Sequence, residues 1–277
     1  MPELPEVELA RRDLTRWTAG QTIKEVGVAD PTVVRRKLST RPADALDDGA
    51  DRVVEALRGA RTVAVVRAGK RIGWRFDSGM ALLVHLGMSG KWVRRTGETM
   101  PHTRLRLSLS DGSDLLFVDP RRFGCVVPLP AEDLERALGE GLGPDALDAP
   151  LDAHALAQRL AGRGAIRNNL LDQQRIAGVG NIQAAEALFR AGIRPDRAGT
   201  SLGDAEWERL SVAIPEQLRW TLDVEADGEI VYLSEWGSRN PFAVYGREGE
   251  PCPRCGAIIE RSVLSGRSSF WCPSCQG

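Results

Sequence analysis

The sequence predicts an α+β protein with an N-terminal helix, a β-sandwich or barrel, a helical region and a small metal-binding module at its C-terminal end. Three observations lead to this prediction. Short alternating or β-branched runs fill roughly residues 20–130. Apolar residues at helical spacing follow as far as about residue 220. Two Cys-x-x-Cys pairs then lie close to the end of the chain.

The composition limits the class of protein. The chain has 277 residues, 42% of them hydrophobic, which is enough for one or two domains with a core and excludes global disorder. It contains no run of about 18 apolar residues, so we expect no membrane span. Its first residues are acidic and carry proline, unlike a secretory signal. We therefore expect a cytoplasmic protein.

Charge is distributed unevenly along the chain, although the net charge is only −1. Residues 61–125 carry twelve Lys or Arg against five Asp or Glu, and residues 161–200 carry six against three. The connector at 126–160 carries two against seven. Two basic segments beside an acidic one suit a nucleic-acid binder with segregated charge, and equally two solvated domains joined by a linker.

The opening stretch MPELPEVE has two interpretations. Proline and glutamate both suit the first turn of a helix, and LARRDLTRW continues with amphipathic spacing. A start methionine before a small residue is usually removed, which would leave the secondary amine of Pro2 as the chain terminus. A terminal amine has a reference pKa of roughly 7.7–8.0, so part of it is neutral at physiological pH. Such an amine, close to carboxylates, is a candidate nucleophile.

Six short runs between residues 22 and 120 have the pattern of strands, and turn signals such as DSG and DGSD separate them. They predict a β-sandwich or barrel over roughly residues 20–130. The runs are TIKEVGVA, TVAVVRAG, RIGWRF, ALLVHLGM, RLRLSLS and LLFVDP.

Helical spacing replaces this pattern after residue 130 and predicts a second, helical domain. A loop-rich stretch then leads to the cysteine-bearing module, and the sequence shows no internal repeat. The helical segments are AEDLERAL, LDAHALAQRLAG, NNLLDQQ, NIQAAEALFRAG and LGDAEWERLSVAIPEQLRW.

The strongest local signal is the cysteine pattern. Two Cys-x-x-Cys pairs separated by 16 residues have the spacing of a structural zinc site, in which the intervening residues form a β-hairpin. The alternative, two disulfides, is disfavoured in a reducing cytosol. A fifth cysteine, Cys125, is expected to be a buried apolar residue. The predicted zinc ligands are Cys252, Cys255, Cys272 and Cys275.

The hairpin of this module is expected to present Arg267 at its tip, between Gly266 and Ser268. An arginine in this place is either a solvated side chain or, on a DNA-binding module, a phosphate ligand.

The stretch DQQRIAGVGNIQAAEALFRAGIRP predicts a helix that ends at glycine, a tight GVG turn and a new helix capped by Asn181. The first N–H groups of the new helix would point outward and form an anion site. The alternative is an ordinary joint between two helices, which this motif alone favours.

The stretches HLGMSG and DPRRFG each read as a strand end followed by a glycine-bounded loop. They are expected to expose Met88, Arg121 and Phe123 at loop tips. Large apolar residues in such places suit insertion into a base stack. The alternative is packing between the two loops.

Seven motifs occur in one order: PELPEVE, RAGKRI, HLGMSG, DPRRFG, GVGNI, VYGREGEPC and the four-cysteine hairpin. In order and spacing the chain, from Pro2 to Gln276, resembles the formamidopyrimidine-DNA glycosylases, which share a superfamily with endonuclease VIII. The resemblance implies three domains. They are a catalytic β-sandwich at 1–130, a helix–two-turn–helix DNA-binding domain at 131–235 and a zinc-finger module at 236–277.

The resemblance also implies a bifunctional glycosylase and abasic-site lyase of base-excision repair. The amine of Pro2 attacks the anomeric carbon of a flipped nucleotide, expels the base and forms a Schiff base, and β- and δ-elimination then cut the strand. Glu3 acts as general acid and base, and Glu6 holds the amine in place. Lys70 belongs to the catalytic set and grips a phosphate beside the lesion.

Further DNA-binding residues are implied by the same resemblance. Asn181 and Arg267 grip phosphates. Met88, Arg121 and Phe123, here called the void-filling set, replace the flipped nucleotide, and Arg121 reads the orphaned base. The zinc ion is structural, one per chain. The DNA-binding residues are Met88, Arg121, Phe123, Asn181, Arg267 and His102.

The sequence departs from the family at three places. Arg167 stands where lysine is usual and Gln183 where tyrosine is usual after GNI. Residues 225–242 do not resemble the glycine-rich loop that covers an oxidised purine in the best-known members. PELPEVE and the void-filling set favour the oxidised-purine branch.

Three other functions compete with this interpretation. They are a relative specialised for oxidised pyrimidines or for bulky alkylated or crosslinked lesions, a catalytically idle protein that binds damaged DNA, and a zinc-ribbon adaptor for proteins. The adaptor leaves the N-terminal motif unexplained, and the joint presence of Pro2, Glu3 and Lys70 argues against idleness. We expect a monomer that acts on double-stranded DNA with a damaged base or abasic site, has no membrane partner and is associated with the nucleoid.

Overall fold

The computed structural model describes residues 2–97, 100–226 and 240–277. Contacts divide these residues into two units. Pro2 and residues 6–140 form the first unit, whereas residues 3–5, 141–226 and 240–277 form the second. The predicted three-domain boundaries stay a prediction.

Helix α1 (Leu4–Thr18) opens the chain and carries Glu6 in its first turn and Arg16 in its last turn. Both charges complement the helix dipole. The helical interpretation of the opening stretch is therefore confirmed.

The first unit is a β-sandwich, as predicted, and not a barrel. Its eight antiparallel strands form two four-stranded sheets, with the orders β1–β6–β7–β5 and β2–β3–β4–β8. The strands are β1 (Ile23–Val28), β2 (Thr62–Ala68), β3 (Arg71–Phe76), β4 (Met80–His85), β5 (Lys91–Arg95), β6 (Thr103–Leu109), β7 (Asp114–Val118) and β8 (Cys125–Pro130).

The sequence pattern does not identify strands β5 and β8, and both lie at a sheet edge. Strand β5 reads KWVRR, and charges are typical of edge strands. Strand β8 contains Pro128 and Pro130, which count against a strand unless it lies at an edge. Edge residues that prevent unwanted pairing thus also weaken the sequence signal.

Aromatic residues of both sheets fill the interior of the sandwich. Trp74 of β3 lies with its ring centroid 5.5 Å from that of Trp92 on β5, and Trp92 lies 5.1 Å from Phe117 on β7. Cys125 is fully buried, as predicted.

Two further helices pack in this unit, α2 (Gly49–Leu57) and α3 (Leu134–Gly139). The sequence pattern does not identify α2. Leu134 and Leu138 of α3 pack in one apolar cluster with Leu83 and Val127 of the second sheet.

The second unit is helical and carries the C-terminal hairpin. Leu4 joins its core, together with Leu188 of α6 and Leu218 of α7. The elements are α4 (Ala153–Leu160), α5 (Ile166–Leu171), α6 (Asn181–Ala191), α7 (Asp204–Val224), β9 (Glu260–Leu264) and β10 (Arg267–Trp271).

The hairpin of β9 and β10 shares an apolar cluster with α6. Phe189 of α6 packs with Ile259 and Phe270, and two of the cysteines belong to the same cluster. Within the part of the chain that the structure describes, no helix is long and apolar enough to cross a membrane.

Candidate active site and metal centre

The carboxylate of Glu3 binds the N-terminus of helix α6. The N–H of Ile182 donates to Oε1 at 2.9 Å and the N–H of Gln183 donates to Oε2 at 3.0 Å. Only 1% of Glu3 is exposed. The helix dipole favours an anion at this position, and two donors fix the orientation of the carboxylate. The predicted anion site therefore exists, and a carboxylate of the chain itself occupies it.

The GVG turn makes room for this contact. A Cβ on Gly180 would lie 2.1 Å from the Glu3 carboxyl carbon, and one on Gly178 would lie 2.1 Å from Leu4 Cδ1. Gly178 also has a φ of +101°, which a side chain would strain. The two glycines are explained by the close approach of the N-terminal residues.

Two predictions about this turn are wrong. Helix α5 ends at Leu171, not at a glycine, and the residue that caps α6 is Gly180, not Asn181. Asn181 is the first residue of the helix, and its side chain bonds elsewhere. Capping is unnecessary here because Glu3 accepts from the first N–H groups.

Pro2 is buried, and Glu6 is 5% exposed. Lys70 lies half-buried in the turn between β2 and β3. The ion pair between Arg67 and Glu8 attaches that turn to α1.

Glu8 and Arg67 connect α1 to the turn that carries Lys70. Arg67 Nε lies 3.2 Å from Glu8 Oε2, and Arg67 Nη1 donates to the Gly69 carbonyl at 3.0 Å. Burial alone would raise the pKa of Glu8, but hydrogen bonds from Arg11 and Arg12 and nearby arginine charges hold it below its usual value. Sequence reasoning missed this pair, whose partners are 59 residues apart.

His85, at the end of β4, is a half-buried imidazole. Burial, followed by the charges of Lys70, Arg71 and Arg35, lowers its pKa from 6.5 to about 4. Its Nδ1 accepts the N–H of Gly87 at 2.9 Å. His85 therefore shapes the start of the loop that carries Met88, a role that the sequence pattern did not indicate.

The loops of the void-filling set contact each other. A Cβ on Gly87 would lie 2.4 Å from Gly124 N, so the backbones of the two loops touch. Arg121 is exposed and its guanidinium lies 5.3 Å from the ring centroid of Phe123. Met88 and Phe123 are half-buried, which corrects the expectation that all three are exposed. The two loops thus pack against each other and at the same time leave Arg121 exposed.

Asn181 and the hairpin that carries Arg267 come together through Arg167. Asn181 Oδ1 accepts from Arg167 Nε at 3.1 Å, and Asn181 Nδ2 donates to the Ser268 carbonyl at 3.0 Å. Arg167 also donates to the Leu264 carbonyl at 3.1 Å. Burial and the charge of Arg267 lower the pKa of Arg167.

The side chains of two remaining residues lie apart from the Arg167–Asn181 contacts. Gln183 is 1% exposed, and its Oε1 accepts from Thr221 Oγ1 at 3.1 Å. It therefore serves the interior of the helical unit. His102 is exposed, with a φ of 64°. Of the unusual stretch at 225–242, residues 227–239 lie outside the described residues.

The four predicted zinc ligands converge. Their Sγ atoms all lie within 4.8 Å of one another. Cys255 and Cys272 are 3.4 Å apart, and Cys252 and Cys275 are 4.0 Å apart. Tetrahedral Zn–S bonds of about 2.3 Å separate the sulfurs by about 3.8 Å, so the set fits one structural zinc ion.

Three family models match successive parts of the chain. The formamidopyrimidine-DNA glycosylase N-terminal domain matches residues 1–126, the H2TH domain of the same enzymes matches residues 142–232, and a zinc finger found in FPG and IleRS matches residues 249–277.

Whole-chain relatives agree with these matches. Formamidopyrimidine-DNA glycosylases of Corynebacterium jeikeium and Cereibacter sphaeroides are 37% and 39% identical over the full length of both chains. The Lactococcus lactis Fpg complex with DNA containing an abasic site has a TM-score of 0.85 at 29% identity, covering 99% of each chain. A MutM complex with DNA containing carbocyclic 8-oxo-G has a TM-score of 0.85 at 30% identity and the same coverage. At this identity over its whole length, the chain belongs to the formamidopyrimidine-DNA glycosylase family, the DNA glycosylases and abasic-site lyases of base-excision repair.

Proposed function

We propose that the chain excises oxidised purines from double-stranded DNA with Pro2 as its nucleophile. The observation that carries the proposal is the attachment of Glu3, the neighbour of Pro2, to the N-terminus of α6. A residue bonded at two points and 1% exposed restricts the backbone of the residue that precedes it. Nucleophilic attack requires such restriction, because the amine must stay aligned with the carbon it attacks.

The reaction begins when the neutral amine of Pro2, after removal of Met1, attacks the anomeric carbon of the flipped nucleotide. The bond from this carbon to the base breaks, and the base leaves with the electron pair and takes up the proton that the amine nitrogen loses after attack. Opening of the sugar ring then breaks the bond between the anomeric carbon and the ring oxygen and gives an iminium ion. Glu3 transfers the proton of the ring oxygen as general acid and base.

The secondary amine of proline determines how the strand is cut. The iminium nitrogen of proline carries no proton, so the ion keeps its positive charge and withdraws electrons from the neighbouring carbon. The C2′ proton is thereby acidified, and its removal expels the 3′ phosphate by β-elimination. A second elimination expels the 5′ phosphate, and water then hydrolyses the adduct and restores the amine.

The remaining predicted residues bind DNA in this proposal. Lys70, Asn181 and Arg267 contact phosphates, with Arg167 holding Asn181 in place. The void-filling set occupies the space of the flipped nucleotide, and Arg121, exposed at its loop, reads the orphaned base. Glu6 supports the amine, and His102 adds a further DNA contact.

Borohydride trapping tests the nucleophile. The protein is incubated with an abasic duplex and borohydride, digested, and the peptide joined to DNA is identified by mass. We expect the linkage at Pro2. A linkage at Lys70 would overturn the assignment. Pro2→Gly is no test, since glycine keeps a terminal amine.

A matched pair of variants tests Glu3. Glu3→Gln should lower the single-turnover rate of lesion excision on the order of 100-fold or more, the range of general acid–base catalysis. Glu55→Gln, an exposed glutamate of α2, should leave this rate unchanged. Equal rates for the two variants would remove Glu3 from the mechanism.

The choice of oxidised purines rests on the void-filling set and on related structures. One Lactococcus lactis structure holds DNA with Fapy-dG, and the MutM complex holds 8-oxo-G. Trapping on a panel of lesion duplexes should be fastest on oxidised purines. Faster trapping on oxidised pyrimidines or alkylated bases would move the chain to the alternative specificity. We also propose that the enzyme resides with the nucleoid, where its substrate is.

A further inference from the structure

Asp119 is a fully buried residue at the end of strand β7, with 0% of its surface exposed. Its carboxylate accepts from Ser89 Oγ at 2.7 Å and from Gly124 N at 2.7 Å. The N–H of Arg121 donates to the same carboxylate at 3.3 Å. These donors belong to the two loops that carry the void-filling set. One carboxylate therefore bonds both loops.

The backbone of Asp119 holds a third segment. Its N–H donates to the carbonyl of His102 at 3.0 Å, and its own carbonyl accepts from Arg104 Nε at 2.9 Å. His102 has a left-handed φ of 64°, a conformation that needs support from its surroundings. Asp119 thus contacts every segment of the first unit that holds Met88, His102, Arg121 or Phe123.

The loop between Arg121 and Phe123 is held at a second point. Arg122 has a φ of 62°, and its carbonyl accepts from Arg35 Nη2 at 2.9 Å. Its guanidinium pairs with Asp30 at 2.9 Å. The strained residue lies between the two DNA-facing side chains, so its conformation sets the directions in which they point.

Burying a carboxylate costs free energy, and the cost is acceptable only where hydrogen bonds satisfy the group. The donors to Asp119 are neutral groups of the loops, and their hydrogen bonds satisfy a side chain that is removed from water. An apolar residue would fill a merely structural position at lower cost. The bonds that satisfy the Asp119 carboxylate thus also fix the geometry of the two loops.

We propose that Asp119 is a positioning residue that locks the two void-filling loops to each other before DNA binds. This rests on the role proposed above for Met88, Arg121 and Phe123. With the loops locked, these side chains need no ordering when the base leaves the stack, so flipping is less costly. Excision of a base that must be flipped then depends on Asp119. Cleavage of a preformed abasic site depends on it much less.

Two variants remove the lock in different ways. Asp119→Asn keeps the shape of the side chain, but its amide cannot accept from all the present donors. Ser89→Ala leaves the bond to Gly124 intact and removes the bond between the loops. The matched control is Asp114→Asn, the first residue of β7, whose carboxylate bonds Ser108 and Arg106 and which is 3% exposed.

Single-turnover rates on a lesion duplex and on an abasic duplex give the readout. In both Asp119→Asn and Ser89→Ala, lesion excision should fall on the order of 10- to 100-fold, as expected for misplaced groups. Abasic cleavage should change by less than about twofold, within the scatter of such measurements. Asp114→Asn should lower the Tm. Any loss of rate that results should be the same on the lesion duplex and on the abasic duplex.

A double-mutant cycle separates this inference from the proposed function. If Asp119 acts through the loops, Asp119→Asn should cause a smaller further loss in a Phe123→Ala background than it causes alone, because Met88 and Arg121 still depend on it. Equal losses on both substrates, or full additivity with Phe123→Ala, would overturn the positioning role. If Phe123→Ala alone shows no selective loss on the lesion duplex, the void-filling function itself fails.

Discussion

In the first unit, hydrogen bonds to the buried carboxylate of Asp119 hold the loops of the void-filling set. In the second unit, four cysteine sulfurs and the guanidinium of Arg167 hold the hairpin that carries Arg267. The sandwich loops are ordered by the fold alone, whereas the hairpin depends on a metal ion. The two regions for which we propose DNA contacts should therefore fail under different conditions.

Removing the metal should give the largest difference in behaviour between the two regions. Cys252→Ser should lose the zinc ion and most DNA affinity, because binding of the ion and folding of the hairpin are coupled. Hydrogen exchange should accelerate in β9 and β10 and stay unchanged in β2 and β3. Cys125→Ala, the non-ligand control, should keep one zinc ion per chain. A metal-free protein with full nicking activity would contradict the role of the hairpin.

Truncating a side chain of the void-filling set should slow base excision through the sandwich loops and leave the hairpin unaffected. Unstacking a base costs a few kcal/mol, which the inserted side chain offsets, so Phe123→Ala should slow excision on the order of 10- to 100-fold. Arg121→Ala should also flatten any preference for the base opposite the lesion. Single-turnover rates on lesion and abasic duplexes measure both effects. Equal losses on both substrates would leave the set with a packing role only.

Arg167→Lys, which keeps the positive charge, should weaken the second unit. Lysine cannot reproduce the fork that reaches Asn181, Leu264 and Ser268, so about 1–3 kcal/mol of stability should be lost. Denaturant unfolding measures the change. Arg163→Lys, an exposed neighbour, is the control and should change nothing. Identical curves for the two variants would show that the hairpin is held by zinc alone.

Mild acid should produce the smallest effect, and it should arise in the sandwich. Because the pKa of His85 falls to about 4 on folding, its contribution is present above pH 6.5 and is lost as the pH falls towards 4. Between pH 7.5 and 5.5, this group should remove about 1 kcal/mol of unfolding free energy. His85→Asn, which does not titrate, should show a smaller loss over the same interval. The same loss in both proteins would exclude His85 as the source.

The metal centre and most of the fold could be predicted because their signals are local. Cysteine spacing, strand alternation and helical periodicity are all visible within a few residues. The edge strands β5 and β8 were missed because their charges and prolines disguise them.

The arrangement of the site could not be predicted from local signals. The anion at the N-terminus of α6 is Glu3, 179 residues away from Ile182, and the Ser89–Asp119 bond joins residues 30 apart. No local pattern records such partners. The sequence indicated candidate residues for the chemistry, and the structure showed which groups hold Glu3 and Asn181 in place.

The contact between Glu3 and α6 also bears on synthesis of the chain. Glu3 is synthesised 179 residues before Ile182, whose N–H binds its carboxylate. At translation rates of about 5–20 residues per second, that delay is roughly 10 to 40 s. During this time Glu3 lacks the N–H groups that hold its carboxylate, so the terminus that we propose as the nucleophile is not yet positioned. An unfinished or prematurely terminated chain that lacks α6 should carry the amine and yet be unable to cut DNA.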